Sequence, residues 1–447
     1  MEENAGVSRQ ETLRRPRFAG LGIYITPRML LIAALGIVSG LPLALTASTL
    51  TAWLADSGVT KEAIGLFALL GIPYTFKFLW APLMDGLSPP LGRKLGRRRA
   101  WMVWCFLALA AVVFAMSVMD VEQDLHLIAL LTLILAFSAS SLDINVDALR
   151  IEWMADEEQG AAAVMAVQGY RIGMVVSSAG TLYIADAASW ALAYQATGVL
   201  ILFGLIPALL APNISPPPLP DNVQENASET SPARADKIKS WFLAYVVGPF
   251  RQFSTQQGWW LILLFILLFK LGEAILGFMT NPFLLEMGYS KSDIATVVKI
   301  YGLGATIAAS FFAGWAVIRF GIFKCLIIGG ILQSAANLPY AYLAMLPGPD
   351  NVALGVTIAI DNAFGSFATI SVIAYISRLC DKRFSGTQYA LLNSFATFGR
   401  TFLSSGSGWM ATTMGWPLFF VATAIIGLPS LIVLWWLRSS LRGEPKA

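Results

Sequence analysis

The sequence is poor in the residues that build disulfide frameworks and metal centres. Its 447 residues include three cysteines and one histidine. The cysteines, Cys105, Cys325 and Cys380, are widely separated and form no C-x-x-C pair, so they do not indicate a disulfide framework. The single histidine, His126, has no cysteine or histidine cluster near it. We therefore expect no zinc or haem site and no other cofactor.

Charged residues are also scarce, at 13% of the chain against roughly 25% in an average soluble domain. Hydrophobic residues account for 57%, and mean hydropathy is +0.67. A chain of this composition cannot cover its surface with charge, so it is predicted to lie in a lipid bilayer. The net charge of +3 is modest, and we expect no nucleic-acid partner.

Motifs for energy conversion and catalysis are missing as well. No G-x-x-x-x-G-K-[ST] sequence is present, so ATP does not drive the protein unless a separate subunit supplies the motor. No nucleophile–histidine pair, metal set or nucleotide motif supports a membrane-embedded enzyme. A sensor or scaffold without transport activity is a further alternative, but no segment resembles a docking domain. These absences favour a transporter over an enzyme.

Long apolar runs dominate what is present. A membrane span needs about 20 mostly apolar residues. Twelve such stretches lie near residues 29–53, 63–84, 100–118, 127–149, 160–183, 189–211, 258–281, 293–316, 321–345, 352–377, 386–409 and 416–437. Continuous runs of this length indicate helices, since barrel strands are shorter and alternate in polarity. The predicted fold is an all-α polytopic membrane protein of about twelve transmembrane helices.

The distribution of lysine and arginine predicts the orientation of these spans. With the N-terminus inside, 23 of the 30 basic residues fall in cytoplasmic segments, and only Lys61 and Lys291 fall in outer loops. Basic residues are enriched in cytoplasmic loops. The contrast predicts an inner-membrane protein with both termini in the cytoplasm and an even number of spans.

The spans divide into two sets of six. The predicted organisation is a cytoplasmic tail (1–28), a six-helix half (29–212), a cytoplasmic linker (213–257), a second six-helix half (258–437) and a cytoplasmic tail (438–447). The linker opens with several prolines and continues with polar residues, a composition that does not bury a core. Two six-helix pseudo-repeat halves around a long inner loop are the layout of the major facilitator superfamily.

The loop after the second span resembles the acidic–glycine–basic inner loop of that superfamily. It contains Asp85, Gly86 and the basic run that begins at Arg93. We predict a gating or structural role for Asp85 and Arg93. Lys77 and Lys299 lie nearer the ends of spans, where lysine side chains extend toward the interface. We assign them the same gating or structural class.

Four acidic residues lie well inside predicted spans, where an ionised side chain costs at least about 2.5–3.5 kcal/mol. Asp143 and Asp147 are four residues apart and share one helix face. Glu273 lies three residues after Lys270, so these two are expected to form a local ion pair. Asp361 has no basic neighbour in the sequence and needs a partner from another helix or a proton. All four acids are proton-coupling candidates; the alternative is that their ion pairs only hold helices together.

Basic residues at mid-span depth are candidates for binding an anionic substrate, because a guanidinium grips a carboxylate with two parallel hydrogen bonds. Arg171 shares a face with Gln168, and Arg400 faces the same way as Thr397. Structural ion pairing is again the alternative. The predicted substrate-binding set comprises Arg171, Lys270, Arg400, Gln168, Asn362, Gln388 and Tyr170.

Several motifs together resemble the AmpG-type muropeptide permeases of Gram-negative bacteria. The matching stretches are Ser39–Thr46, Phe76–Asp85, Asp143–Ala148, Gly169–Met174, Lys270–Ala274 and Thr387–Leu392. The resemblance runs through most of the chain outside the tail and linker. It includes the charged residues inside the spans.

This resemblance implies proton-driven import of cell-wall muropeptides, which are N-acetylglucosamine–anhydro-N-acetylmuramic acid disaccharides with or without a short peptide. Import serves peptidoglycan recycling and feeds the signal that induces β-lactamase. The partners would then be the muropeptide, protons and the lipid bilayer, and family resemblance implies a monomer. The rival within transport is a relative carrying acetyl-CoA, a siderophore or another anionic conjugate.

Overall fold

The computed structural model describes residues 21–46, 48–214, 240–290, 297, 302–403 and 406–438. Side chains are described in these ranges except at 21, 61, 62, 65, 68, 278 and 398–403. Residues 1–20 of the predicted tail, 215–239 of the linker, Lys299 and 439–447 lie outside the described residues. The described chain folds almost entirely into helices and contains no strand. The all-α prediction is confirmed.

The described part of the first half contains eleven α-helices, and some of them are short pieces of one broken span. Their bounds are α1 (Pro27–Thr46), α2 (Ser48–Asp56), α3 (Lys61–Phe67), α4 (Ile72–Phe76), α5 (Ala81–Gly86), α6 (Gly92–Leu95), α7 (Arg97–Met116), α8 (Val121–Trp153), α9 (Gln159–Ala187), α10 (Trp190–Leu202) and α11 (Leu205–Leu210). Short 3₁₀ turns at Ala68–Gly71 and Lys77–Leu79 connect α3, α4 and α5.

The described second half follows a π-turn at Leu243–Val247. Its helices are α12 (Gly248–Ser254), α13 (Trp259–Phe269), α14 (Leu271–Glu286), α15 (Gly302–Phe320), α16 (Ile322–Ala335), α17 (Leu338–Leu343), α18 (Asn351–Leu379), α19 (Ser385–Leu403), α20 (Ser407–Met414), α21 (Trp416–Gly427) and α22 (Pro429–Trp436). Residues 240–254 of the predicted linker are therefore helical.

Within the described ranges, nine helical stretches are long and apolar enough to cross a membrane. The second, fifth and eleventh predicted spans correspond to α3–α5, α9 and α19–α20, which do not meet that criterion. The second is broken into short pieces around Pro73 and Pro82, since proline interrupts helical hydrogen bonding. All three contribute side chains to the central cavity described below. The count of twelve stays a prediction.

Polar side chains fix the starts of several long helices. The Asp120 carboxylate accepts a hydrogen bond from the Glu122 backbone N–H at the start of α8. The Asp350 carboxylate accepts from the backbone N–H groups of Val352 and Ala353 at the start of α18. Such caps satisfy amide groups that have no partner inside the helix. Four clusters of buried apolar side chains fill the described part of the protein, one in each half and two that span both.

Two G-x-x-x-G sequences bring α1 and α9 into backbone contact. Gly36 and Gly40 lie on α1, and Gly169 and Gly173 lie on α9. A Cβ atom added at Gly40 would lie 2.1 Å from the Tyr170 carbonyl oxygen, and one at Gly173 would lie 1.9 Å from the Ile37 carbonyl oxygen. Small residues at this spacing allow two helices to approach closely in membranes. This contact fixes the rotation and depth of α9, and with it the positions of its side chains.

Gly173→Ala is expected to destabilise the protein, because the new methyl group would overlap the backbone of α1. Overpacking of this kind costs about 1–3 kcal/mol. The matched control is Gly180→Ala on the same helix, where an added Cβ meets no atom within 4 Å. Thermal unfolding in detergent measures both. Equal melting temperatures for the two variants would contradict the proposed backbone contact.

Candidate functional site

Two adjoining pockets form a cavity between the halves. The first-half pocket has a volume of about 860 Å³ and is lined mainly by α1, α4, α8 and α9. The second-half pocket has a volume of about 730 Å³ and is lined mainly by α14, α18 and α19. Both are lined by Ile373, Tyr389, Asn393 and Thr397, so they meet along α18 and α19. Each alone is large enough for a typical small-molecule ligand.

The first-half pocket contains a lysine–carboxylate pair. Lys77 is only 5% exposed, and its Nζ lies 3.9 Å from Asp143 Oδ2. The Ser39 hydroxyl donates to the other carboxylate oxygen of Asp143 at 2.5 Å. Asp147 also lines the pocket and pairs with Arg150 at 3.5 Å. The two aspartates share a face as predicted, and each has its own cationic partner.

A second pair lies in the second-half pocket. Lys270 Nζ donates to the Glu273 carboxylate, and it also donates to the Thr369 hydroxyl at 2.6 Å. The side-chain amide of Gln333 donates to the same Glu273 oxygen. The Lys270–Glu273 ion pair expected from the sequence is therefore present. Because Gln333 shares the acceptor, one carboxylate oxygen serves two donors.

Two further charged residues of this pocket have no ion pair with any described residue. Asp361 accepts a hydrogen bond from the Tyr340 hydroxyl at 3.0 Å. The neighbouring Asn362 accepts from the Thr306 hydroxyl at 3.0 Å. Arg171 belongs to α9 of the first half but lines the second-half pocket. It is the one described cation of the cavity lining that no described carboxylate pairs with.

A buried polar layer lies one helical turn before Tyr389 of the cavity lining. We call it the gate cluster, and it consists of Asp85, Arg98, Glu152, Ser385 and Thr387. Arg98 Nη2 lies 2.6 Å from both Asp85 Oδ1 and Glu152 Oε1. The Ser385 hydroxyl from the second half donates to Glu152 at 2.7 Å. Breaking a buried ion pair costs about 3–5 kcal/mol, because one charge is left without a partner. The cluster therefore stabilises the contact between the two halves.

Asp85 also binds the first turn of α19. Its carboxylate accepts from the Thr387 backbone N–H at 2.7 Å and from the Thr387 hydroxyl at 2.6 Å. A carboxylate is favoured at a helix N-terminus, where amide groups lack partners and the helix dipole is positive. Gly386 leaves space for this contact, since an added Cβ would lie 2.8 Å from Asp85 Oδ1.

The end of the predicted linker packs beside the gate cluster. The Trp241 indole donates to the Gly86 carbonyl at 3.2 Å in the first half. The Tyr245 ring packs edge-on against Phe384, which precedes α19. The Gln388 amide donates to the Pro249 carbonyl at 3.1 Å. This segment therefore touches both halves beside the gate cluster.

Tyr389 lies between the gate cluster and the cavity. It lies one helical turn beyond Ser385 on α19 and lines both pockets. The Arg150 guanidinium lies 5.3 Å from the centre of its ring and donates to the Ser377 hydroxyl at 3.0 Å. A cation over an aromatic face is attracted to it. The contact connects α8 of the first half to α18 and α19 of the second.

The structure brings most of the sequence-predicted residues to the cavity. Those lining it are Lys77, Asp143, Asp147, Tyr170, Arg171, Lys270, Glu273, Asp361 and Asn362. Gln168 is 6% exposed and lines neither pocket, and Gln388 is buried beside the gate cluster. Asp85 lies in the gate cluster, and Arg93 is exposed on α6. Lys299 and the Arg400 side chain lie outside what the structure describes.

Sequence reasoning missed several partners of these residues. They are Ser39, Arg98, Glu152, Gln333, Tyr340, Thr369, Ser385 and Thr387. Glu152 and Arg98 could have been found as acidic and basic residues close to the ends of apolar runs. The others are neutral and carry no signal in a single sequence.

The fold and the cavity define a helical membrane transport protein. The family model for the Major Facilitator Superfamily matches residues 32–348 and 262–447. Among solved structures, the chain resembles the Escherichia coli fucose:proton symporter, with a TM-score of 0.65 and 13% identity over 92% of this chain and 98% of that one. It also resembles a bacterial homologue of the iron transporter ferroportin in the outward-facing state, with a TM-score of 0.60 and 17% identity over 92% and 98%.

More similar proteins identify the family within this superfamily. The chain is 36% identical to "Putative transporter AmpG 4" of Rickettsia conorii over 94% of this chain and 98% of the relative. It is 35% identical to "Anhydromuropeptide permease" of Escherichia coli K12 over 94% of this chain and 82% of that protein. The chain belongs to the AmpG family within the Major Facilitator Superfamily.

Proposed function

We propose that this protein is a proton-coupled importer of muropeptides, carrying N-acetylglucosamine–anhydro-N-acetylmuramic acid with or without a peptide. The observation that carries the proposal is the cavity between the halves, with two acid–base pairs and one arginine that no described carboxylate neutralises. The names of the AmpG relatives supply the substrate class. The imported fragments would serve peptidoglycan recycling and β-lactamase induction.

The proposed location is the bacterial inner membrane, with both termini in the cytoplasm and the protein acting as a monomer. Halves at 29–212 and 258–437 would rock about the cavity, with 213–257 as the cytoplasmic linker. The positive-inside distribution puts the basic loop at 93–99 on the cytoplasmic side. The gate cluster contains Arg98 of that loop, so it would close the cytoplasmic end, and the described conformation would be outward-facing.

Proton coupling is proposed to act through the Lys270–Glu273 pair. While Glu273 is ionised, it neutralises Lys270 and accepts from Gln333. A proton on Glu273 removes that negative charge and frees the Lys270 ammonium for a substrate carboxylate. The substrate anion then replaces Glu273 as the partner of Lys270. Proton and substrate binding would support each other, which is the linkage that symport requires.

Two other acids are alternative proton carriers. Asp361 is held by the neutral Tyr340 hydroxyl, so it can gain or lose a proton without breaking an ion pair to a described residue. Asp143 pairs with Lys77 in the first-half pocket, where the same exchange of partners is possible. Asp147 lines the cavity and is bound to Arg150, so we assign it a different role from the other acids. It would couple substrate binding in the cavity to opening of the gate cluster.

The test is uptake of labelled disaccharide tripeptide into proteoliposomes that contain only this protein, with an imposed inward proton gradient. Accumulation above the external concentration, lost when a protonophore is added, is the expected result. Failure of folded, correctly oriented protein to take up the compound would remove the muropeptide assignment. Acetyl-CoA and siderophore uptake in the same vesicles would then test the rival anionic conjugates.

A further inference from the structure

The two pockets of the cavity differ in chemistry. The first-half pocket is lined by many hydroxyl groups and three tyrosines, one of them the shared Tyr389, and by the carboxylates of Asp143 and Asp147. Its one described cation, Lys77, is almost fully buried and already paired with Asp143. Asp147 is paired with Arg150, so every described charge of this pocket already has an ion-pair partner. Such a lining offers acceptors and donors to neutral sugar hydroxyls and has no described cation free to bind a carboxylate.

The second-half pocket differs in having a cation without an ion pair to any described carboxylate. Arg171 and Lys270 both line it, as do the carboxylates of Glu273 and Asp361, and Lys270 pairs with Glu273. Arg171 reaches this pocket from α9, although α9 belongs to the first half, and pairs with no described carboxylate. Its planar guanidinium therefore has donors available for a carboxylate in the two-bond geometry that arginine favours. A carboxylate entering the cavity can therefore bind Arg171 on this side.

The aromatic residues of the first-half pocket add to the asymmetry. Tyr74 and Tyr170 line that pocket and Phe67 lines it as well, whereas the rings of the second-half pocket are Tyr340 and the shared Tyr389. The Tyr340 hydroxyl is engaged by Asp361. An aromatic face packs against the apolar side of a sugar ring while hydroxyl groups bind its edge. The first-half pocket therefore suits sugar rings.

We propose that the muropeptide lies across the cavity in one orientation, with its sugar rings in the first-half pocket and its peptide carboxylates at Arg171 and Lys270 in the second-half pocket. This inference rests on the function proposed above and adds the polarity of binding. In this orientation Arg171, which belongs to the first half, binds the part of the substrate that lies in the second-half pocket. Closure of the halves around the substrate then depends on both ends being occupied.

The orientation is tested by measuring the affinities of two ligands for the purified wild-type protein and for variants with one substitution in either pocket. The ligands are the disaccharide tripeptide with free carboxylates and the same compound with its peptide carboxylates methylated. Arg171→Gln is expected to weaken binding of the free acid by about tenfold or more, since the charged hydrogen bonds between the guanidinium and the carboxylate are lost. Binding of the methyl ester is expected to change by less than about twofold.

Tyr74→Leu in the first-half pocket is the counterpart and is expected to weaken binding of both ligands by the same factor. Arg171→Lys keeps the positive charge but cannot form two parallel hydrogen bonds to a carboxylate. Its affinity for the free acid is expected to lie between those of the wild type and Arg171→Gln. Melting temperatures confirm that each variant is folded. Equal losses for acid and ester in Arg171→Gln, or discrimination between them by Tyr74→Leu, would overturn the orientation. Absence of binding to the wild type would instead overturn the proposed function together with it.

Discussion

Glu273→Gln is expected to abolish accumulation of muropeptide above the external concentration. The substitution leaves a neutral amide beside Lys270, so the ammonium is permanently available and no proton is needed to release it. Substrate can still bind and equilibrate, because the cavity shape is kept. Uptake driven by a proton gradient should fall to the level set by the substrate gradient alone, whereas exchange of external for internal muropeptide should persist. Both fluxes are measured in proteoliposomes.

The matched control is Glu286→Gln. Glu286 lies at the end of the same helix, α14, is exposed, and lines neither pocket. This variant should accumulate substrate as the wild type does. If Glu273→Gln also accumulates substrate fully, the coupling proton binds elsewhere. Asp361→Asn and Asp143→Asn in the same assay would then identify which acid carries it.

Asp85→Asn is expected to open the gate cluster and shift the protein away from the outward-facing state. The substitution removes the negative charge that Arg98 and the first turn of α19 share. Arg98 keeps Glu152, but the Thr387 backbone amide loses a charged acceptor at 2.7 Å. A hydrogen bond to a charged group is worth about 1.5–3 kcal/mol, and the loss of several such bonds is enough to shift a two-state population.

Distance measurements between two spin labels would report this shift. Lys94 in the first half and Lys382 in the second are both exposed and lie on either side of the gate, so cysteine substitutions there carry the labels. Asp85→Asn should increase the proportion of long distances. Glu286→Gln serves again as control, because Glu286 is exposed at the end of α14 and lies outside the gate cluster. Unchanged distances in Asp85→Asn would show that the gate cluster does not hold this end closed.

Local spacing predicted the parts of the site that lie on one helix. Asp143 and Asp147 are four apart on α8, and both line the first-half pocket. Lys270 and Glu273 are three apart and form the expected pair. The helical period fixes these relations without knowledge of the rest of the fold. Apolar runs likewise predicted the all-α fold and its membrane location.

Relations between helices could not be predicted in this way. Asp85 and Thr387 are separated by 302 residues, and Ser39 and Asp143 by 104. Gln168 was expected beside Arg171, but the glycine contact between α1 and α9 sets the rotation of α9 and buries Gln168. The helical period gives the angle between two side chains on one helix. It does not tell which of the two faces a cavity. That choice depends on tertiary packing.

The most direct test of proton-coupled import is to follow protons and muropeptide in the same vesicles. Proteoliposomes loaded with a pH-sensitive dye would receive disaccharide tripeptide outside, with no proton gradient imposed and the membrane potential clamped. Wild-type protein should acidify the lumen in step with substrate entry, and Glu273→Gln should admit substrate without acidification. Substrate entry through the wild type with no change in lumenal pH would contradict the account, because the carrier would then move muropeptide without protons.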